Sequence, residues 1–598
     1  RRMTFGFIHP SVLLLLGALL VPFVRGPLRQ PYLFIVPMLA LAAVVLNSTL
    51  TGTYGVISFL DWQLVFGRVD KLATVFALIM ALMAVLGTLY GLHVDRAAEH
   101  IAAWFYAAGS LGVIYSGDYL SLFVFWEMMA FSSVFLIWFR RGPQSIQVGY
   151  RYLLIHTIGG IALLAGIVLH YNAVGNIAFT LLDVTDPDLS TWLILVGFGL
   201  NAAVVPLHSW LPEAYSEASF NGAVFLCAFT TKTAVYALAR GFAGMDILIV
   251  LGVIMALYGV IYAVMENDIR KLLAWSIVSQ VGYMVAGVGI GTELAINGTV
   301  AHAVAHILYK SLLFMGTGAV LYMTGKSKFT ELGGLHAKMP ATFFFTVIGC
   351  LSISAAPFFA AYASKSMIIT AGFEQHLNWA PWLLMFGATG TFLYNGLKLP
   401  YFLFFGRNNC SEVTWERAAD PSWNMLIAMT LGSTLCILVG SWPGFLYTLL
   451  PYSLAYTPHT LYHFVETMQL LGFATLAFIL LKRYLEPVDR ILVDIDWLYR
   501  HAGCAFLWLV RHPLQWIDTA WGEAYRTVGL YCLMAVSRFW SWFDWHAIDG
   551  VVDGFARSVR GTGNRLRILQ SGQIQLTLYA VFTLAAIFLI TFIFYQLL

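Results

Sequence analysis

About sixteen apolar runs, most of them near twenty residues long, follow one another along this chain with short polar gaps between them. A helix needs about 20 predominantly apolar residues to cross a bilayer. The runs fall at roughly 6–25, 31–48, 72–92, 99–116, 119–139, 151–171, 191–207, 220–242, 246–264, 271–290, 295–323, 342–370, 380–405, 423–445, 460–481 and 574–597. They predict an all-α polytopic membrane protein with about sixteen transmembrane helices. Of the 598 residues 60% are hydrophobic and only 11% charged, against about 25% charged in a soluble domain. The net charge of +3 gives no nucleic-acid signal. Cys227, Cys350, Cys410, Cys436, Cys504 and Cys532 form no CxxC pair, which argues against zinc, iron–sulfur and disulfide frameworks. The opening "RRMTFGFIHPSVLLLLGALLVPFV" has the look of a signal peptide. It lacks a small-residue cleavage site and more spans follow, so it is read as the first helix.

Basic residues orient the helices. Arg25 and Arg29 follow span 1, Arg140, Arg141 and Arg151 follow span 5, and Arg270 and Lys271 follow span 9. Lys326, Lys328 and Lys338 follow span 11, and Lys482 and Arg483 follow span 15. All these clusters come after odd-numbered spans, which places them in the cytoplasm. The amino terminus is then external, as is a short loop carrying Asp61, Arg68 and Asp70. The expected location is the inner (cytoplasmic) membrane of a bacterium or archaeon. Residues 484–573 break the pattern, with tryptophans and arginines at helical spacing. They predict an amphipathic lateral helix region along the interface.

The chemistry lies in ionisable groups inside the spans. His302, His306 and Lys310 in "TVAHAVAHILYKSLLFMG" are spaced four apart and share one helix face. Glu127, Lys232, Lys365, Lys398 and His156 also fall within apolar runs. An ionisable group at the bilayer centre costs roughly 2.5–3.5 kcal/mol or more, and such groups mark ion pathways by default. The plainer alternatives are packing histidines, and snorkelling for Lys365 and Lys398. The i, i+4 histidines suit a metal, but no neighbouring carboxylate or cysteine completes a site. Imidazole titrates near neutrality and relays protons through its two nitrogens, so the row reads as part of a proton wire.

Pro206 and Pro357 interrupt two of the runs. Proline removes a donor and clashes with the preceding turn, and the freed carbonyls are tolerable where they line a wet cavity. Broken helices at matching places suggest internal repeats. The span with Lys232 follows the first break, and the span with Lys398 follows the second. Two five-helix units result, and because five is odd they are inverted. The organisation expected is N-terminal helices (1–98), two five-helix repeats (99–242 and 243–405), C-terminal helices (406–483), the lateral segment (484–573) and a terminal anchor (574–598).

Several motifs resemble a known family: "PLHSWLPEAYSEASFNGAVFLCAFTTKTAVYALAR", "ENDIRKLLAWSIVSQVGYMVAG", "AHAVAHILYKSLLFMGTGAV" and "GGLHAKMP". They resemble the antiporter-like membrane subunits of respiratory complex I, its hydrogenase relatives and Mrp-type antiporters, over most of residues 70–405. The tail "IDGVVDGFARSVRGTGNRLRILQSGQIQ" is similar to complex I subunit 5, whose lateral helix residues 484–573 could supply. The resemblance implies that Glu127 is the span-5 glutamate, Lys232 a span-8 lysine and His302, His306 and Lys310 the central row. Lys365 is then the charged group where a proton leaves. One departure stands out. The family's span-7 lysine, five residues before the proline of "PLHxWLP", is Asn201 here. Either Lys232, the nearest remaining intramembrane cation in that half, takes the lysine's place opposite Glu127, or the first half-channel is altered or conducts a different ion.

The function expected is proton translocation as a subunit of a complex I-like assembly. Other membrane subunits would be its partners, together with redox subunits carrying flavin or iron–sulfur clusters. No cofactor, metal or catalytic redox site is expected in this chain. Two alternatives stand beside this. One is an Mrp-type sodium/proton antiporter subunit without a redox partner, with Asp118, Glu127 and Asn201 as sodium ligands if they converge. The other is a non-transporting scaffold.

Overall fold

A computed structural model describes residues 6–453, 455–490, 492–569 and 572–597. The first five residues and Leu598, which close the expected terminal segments, lie outside them. The chain forms two compact units, one ending at Ile495 and the other beginning at Asp496. Eleven helices among the described residues are long and apolar enough to cross a membrane, and three shorter apolar helices accompany them. Each apolar run is helical over at least part of its length, but the broken ones yield pieces shorter than a span.

The first unit opens with α1 (Pro10–Leu20) and α2 (Arg29–Asn47). An antiparallel hairpin follows, β1 (Gly52–Phe59) and β2 (Trp62–Val69), registered from Gly52 opposite Val69 to Phe59 opposite Trp62. This corrects the expectation of an all-α chain with a plain loop here. The stretch "TYGVISFLDWQLVFGRV" is dense in β-branched and aromatic residues on both sides of a tight turn, which favours pleated pairing. Its charges alone gave no hint of strands. Asp70, just past β2, accepts from Ala73 N at 2.9 Å and so caps α3 (Lys71–Tyr90). It also meets Arg240 at 2.8 Å.

The core contains α4 (Ala97–Tyr115), α5 (Tyr119–Trp138), α6 (Pro143–Val174), α7 (Leu189–Asn201), α8 (Trp210–Glu217), α9 (Gly222–Ala228) and α10 (Thr230–Gly241). It continues through α11 (Asp246–Met265), α12 (Ile269–Ile290), α13 (Glu293–Thr324), α14 (Pro340–Ile353), α15 (Tyr362–Glu374) and α16 (Trp379–Thr391). The same local features recur about 150 residues apart. Both α6 and α13 have 32 residues and end at a left-handed glycine, Gly175 and Gly325. Isolated antiparallel bridges pair Asp118 with Ala178 and Asp268 with Lys328. α7 and α14 then stop at Asn201 and Ile353, and left-handed alanines, Ala203 (φ 57°) and Ala355 (φ 54°), turn the chain before helix resumes. Pro206 and Pro357 lie inside these gaps rather than at the helix ends. The alanines carry the turn, and the prolines keep the gap from closing into helix.

Burial follows membrane logic. On α6, His156 is buried while Leu154, Ile158 and Ile161 are each 64% exposed. Close helix approach supplies much of the packing. A Cβ on Gly252 of α11 or on Gly282 of α12 would strike the facing backbone, the small-residue contact that substitutes for hydrophobic driving force in lipid.

Past α16 the helix continues through π-helical turns at Phe392–Lys398 and Tyr401–Phe405. Then come α17 (Glu412–Arg417), α18 (Trp423–Ser441), α19 (Pro443–Tyr447) and α20 (Leu461–Leu481). The chain after α20 lies on the core without helix. Asp494 meets His208 Nε2 at 3.4 Å and accepts from Tyr258 OH at 2.5 Å. Lys328 meets Asp489 at 3.0 Å.

The second unit contains α21 (Asp496–Leu509), α22 (Gln515–Ala524), α23 (Tyr531–Phe543), α24 (Asp549–Leu569) and α25 (Ile574–Leu597). Single π-turns at Val510–Leu514, Tyr525–Leu530 and Asp544–Ile548 join the first four into one uninterrupted helical path. Such turns are extra-residue bulges within a helix. α25 is apolar on every face, as a membrane anchor is.

Candidate functional site

α13 passes through the middle of the first unit, and His302, His306 and Lys310 are all 0% exposed. Four-residue spacing sets them in one line, and the elements packed around α13 decide what each meets. Lys310 Nζ donates to Ser276 Oγ of α12 at 2.8 Å, and Asn395 Nδ2 reaches the same hydroxyl at 2.8 Å. One turn away, both ring nitrogens of His306 lack a protein partner. Its ring lies 5.2 Å from that of Tyr309 and 6.3 Å from that of His302. His302 Nδ1 meets Ser364 Oγ of α15 at 2.9 Å.

Ser364 adjoins Lys365, whose ammonium donates to Ile353 O at 3.0 Å and sits 5.1 Å over the Tyr283 ring. Ile353 is the last residue of α14, so the break frees the carbonyl that holds this lysine. The same device serves Lys232. Helix is interrupted at Phe229 between α9 and α10, and Lys232 Nζ donates to Cys227 O at 2.6 Å and Thr231 Oγ1 at 2.9 Å. Cys227 Sγ in turn lies 3.5 Å from Ser311 Oγ, beside Lys310. Lys232, Lys310 and Lys365 all act electrostatically on His306.

Two of the alternatives are set aside here. Lys365 and Lys398 do not snorkel, being 3% and 1% exposed. Lys398 Nζ donates to Val264 O at 2.6 Å and Glu266 O at 2.8 Å, closing the carbonyl end of α11, where a cation is favoured by the helix dipole. Nor does Lys232 pair with Glu127: no ion pair joins the two among the described residues, and two of its three donors are used at the α9–α10 break.

Glu127 instead presses on α6 at Gly160, where a Cβ would collide with Oε1, and that oxygen has no partner among the described residues. His156, one turn back on α6, lies beside Asn201, and neither of its ring nitrogens has another partner among the described residues. Asp118 is too far away to join them. It sits nine residues before Glu127 on α5, about 13 Å along the axis, and its carboxylate takes Val65 N and Ser121 N, each at 2.7 Å. The sodium triad expected from Asp118, Glu127 and Asn201 therefore does not form. Among the described residues no group of three or more His, Cys, Asp or Glu could hold a metal ion.

Sequence reading missed the uncharged members of this site: Ser276, Gln280, Tyr283, Ser364, Thr391 and Asn395. Gln280 accepts from Tyr309 OH at 3.4 Å and donates to Thr391 Oγ1 at 3.1 Å. One signal was available. Ser276 and Gln280 are four apart on α12, the spacing that lines one helix face. The arrangement is a buried series of exchangeable N–H and O–H groups.

Comparisons with known proteins find chains similar to this one. Residues 116–393 match the family described as NADH:quinone oxidoreductase/Mrp antiporter, TM. The Na(+)/H(+) antiporter subunit A1 of Staphylococcus haemolyticus (strain JCSC1435) is 28% identical over 496 residues, covering 74% of this chain and 62% of the relative. Hydrogenase-4 component B of Escherichia coli (strain K12) is 29% identical over 422 residues, 62% of each chain. This chain thus spans 62% of the length of both curated relatives. In fold it is similar to a chain of the Mrp complex from Dietzia sp. DQ12-45-1b, with TM-score 0.68 and 21% identity, over 78% of this chain and 98% of that one. A chain of the membrane-bound sulfane sulfur reductase, an archaeal respiratory membrane complex, gives 0.65 and 23%, over 77% and 98%. Residues 116–393 thus match the membrane domain of the NADH:quinone oxidoreductase/Mrp antiporter family, and the chain is similar to antiporter-like membrane subunits.

Proposed function

We propose that this chain translocates protons as an antiporter-like subunit of a multisubunit, complex I-like membrane assembly. The path runs through Glu127, Lys232, His306, His302, Lys310 and Lys365, with Lys398 at the carbonyl end of α11. One observation carries the reading: Lys310 is buried without a carboxylate and is held by a single serine hydroxyl, beside an imidazole with no protein partner. A packing role does not need an ammonium there, and a scaffold gains nothing from so costly a group. Several cations that sense one another in low dielectric cannot all stay charged, so loading one site unloads its neighbour. That is the two-state element a driven pump requires.

The 150-residue recurrence supports two five-helix copies, 99–242 and 243–405, inverted because each has an odd number of spans. The basic loops after odd-numbered spans support an external amino terminus in an inner, cytoplasmic membrane. The driving step would belong to neighbouring membrane subunits or to redox partners bearing flavin or iron–sulfur clusters. This chain itself supplies no cofactor.

A second reading, sodium/proton exchange without a redox partner, is favoured by the name of the S. haemolyticus relative. Transport that depends on sodium would select it. The test of the first reading is Lys310→Ala in the chain at its native locus. Proton transport by membrane vesicles is expected to be lost while the assembly persists on a native gel. Normal transport by an assembled variant overturns the reading.

A further inference from the structure

Beyond Lys365 the chain of groups does not stop at protein. Lys365 lines a cavity of about 340 Å³ formed by α15, α16 and α20, far above the roughly 10–15 Å³ of such volume that one water needs. Tyr362, Ser366 and Thr370 on α15, Tyr456, and His463 and Glu466 on α20 contribute the polar part of its wall. The Tyr362 hydroxyl is buried and has no protein partner. Such a group is costly in an apolar core unless water reaches it. Its ring is clamped between two imidazoles, 4.3 Å from His463 and 5.4 Å from His459. His463 Nδ1 meets Pro458 O at 2.9 Å, which fixes Nδ1 as the donor and leaves Nε2 as the ring's acceptor.

Glu466 is the unusual member. It is a carboxylate six residues into an apolar, membrane-length helix, with no hydrogen bond or ion pair among the described residues. Carboxylates are too short to snorkel far, so a lone one inside a span is a functional candidate. Tyr362 and Tyr456 both sense its charge.

We propose that Glu466 receives the proton that leaves Lys365, carried by water held in this cavity. The step rests on the proton-translocation reading given above. The Lys365 ammonium gives its proton to water, water gives one to the Glu466 carboxylate, and the resulting carboxylic acid releases it at the end of the cavity lined by Tyr456, Tyr462 and His463. Charge balances, because a cation and an anion become two neutral groups and the release restores the anion. Tyr362 and His463 act as positioning residues that hold the water chain.

The test uses the intact assembly in proteoliposomes. Glu466→Gln is expected to cut proton transport about tenfold or more, Glu466→Asp to restore part of it, and Tyr362→Phe to cost several-fold while keeping the ring stack. In the unmutated assembly, a membrane-permeant carbodiimide, which attacks protonated carboxyls in apolar sites, is expected to label Glu466, as read by peptide mass spectrometry. That readout does not depend on a variant folding. Wild-type transport by Glu466→Gln, with Lys310→Ala inactive, overturns this inference and leaves the general reading standing. Absence of carbodiimide label on Glu466 between pH 5 and 8 also overturns it. If Lys310→Ala transports normally as well, the general reading fails first.

Discussion

Two halves of one core solve the same problem differently. In the second half the row on α13 is threaded with hydroxyls and amides: Lys310 on Ser276, His302 on Ser364 and Lys365 on a broken helix end. Stepping back 150 residues from His302, His306 and Lys310 gives Tyr152, His156 and Gly160 on α6. The tyrosine is held by Ser133 at 2.7 Å, the histidine has no partner besides Asn201, and the lysine's place is taken by a glycine against which Glu127 presses. With Asn201 beside His156, the first half sets a carboxyl and neutral polar groups at the positions where the second sets imidazoles and a lysine, and its own cation, Lys232, lies apart on α10. Helices of the same length and order thus carry different side chains at matched positions, so the fold sets where the polar sites lie and single side chains set what each can hold.

Lys310→Ala is the strongest way to break this contrast. Removing the second half's central cation is expected to lower proton transport by about 100-fold or more, read by dye quenching in vesicles with assembly checked on a native gel. Gly160→Ala attacks the first half. The added methyl meets the Glu127 carboxylate, so overpacking of about 1–3 kcal/mol and a several-fold loss of transport are expected. Thermal melting in detergent checks the first effect and vesicle assays the second.

Asn201→Lys sharpens the comparison by adding a cation to the first half. Glu127→Gln is expected to couple to it by about 1 kcal/mol in a double-mutant cycle on transport rate. With Asn201 left in place, Glu127→Gln and Lys232→Met should be additive, because Lys232 is engaged elsewhere.

The smallest effect is expected at Asp494, in the segment after α20. Burial alone would raise its carboxyl, but the hydrogen bond and charge of His208, with Tyr258, outweigh this and hold it below the usual carboxylate range. A depressed carboxyl stabilises the folded state above its unfolded value and loses that contribution as pH falls through the folded one. Asp494→Asn should therefore lower the melting temperature by about 1–2 °C at pH 7, and wild type and variant should converge in acid below the carboxylate range.

Much of the fold was legible because its signals are local. Twenty apolar residues in a row can satisfy their backbone in lipid only as helix, and His302, His306 and Lys310 declare themselves by spacing alone. The breaks were legible through Pro206 and Pro357, although the turns themselves are made by Ala203 and Ala355, whose left-handed backbone no residue type announces. The hairpin at 52–69 was missed because two short strands were judged by their charges. The uncharged half of the site, Ser276, Gln280, Ser364 and Asn395, was missed because serine and glutamine in a helix carry no cost large enough to mark them. Glu466 was passed over because it lies in the second turn of an apolar run with only His463 beside it, a pair too sparse to stand out.

The sequence by itself determined that this chain lives in a membrane, where its helices fall, and which titratable side chains are held inside them, since each follows from the cost of placing a group in hydrocarbon. Only the tertiary structure decided pairing. Lys365 meets Ile353 across a break, Lys232 meets Cys227 and Thr231 across another, and Asp118 is spent on capping α5 and on the hairpin. A buried charge is stabilised by whichever dipoles face it at hydrogen-bond distance, and which dipoles those are depends on how helices far apart in sequence pack together.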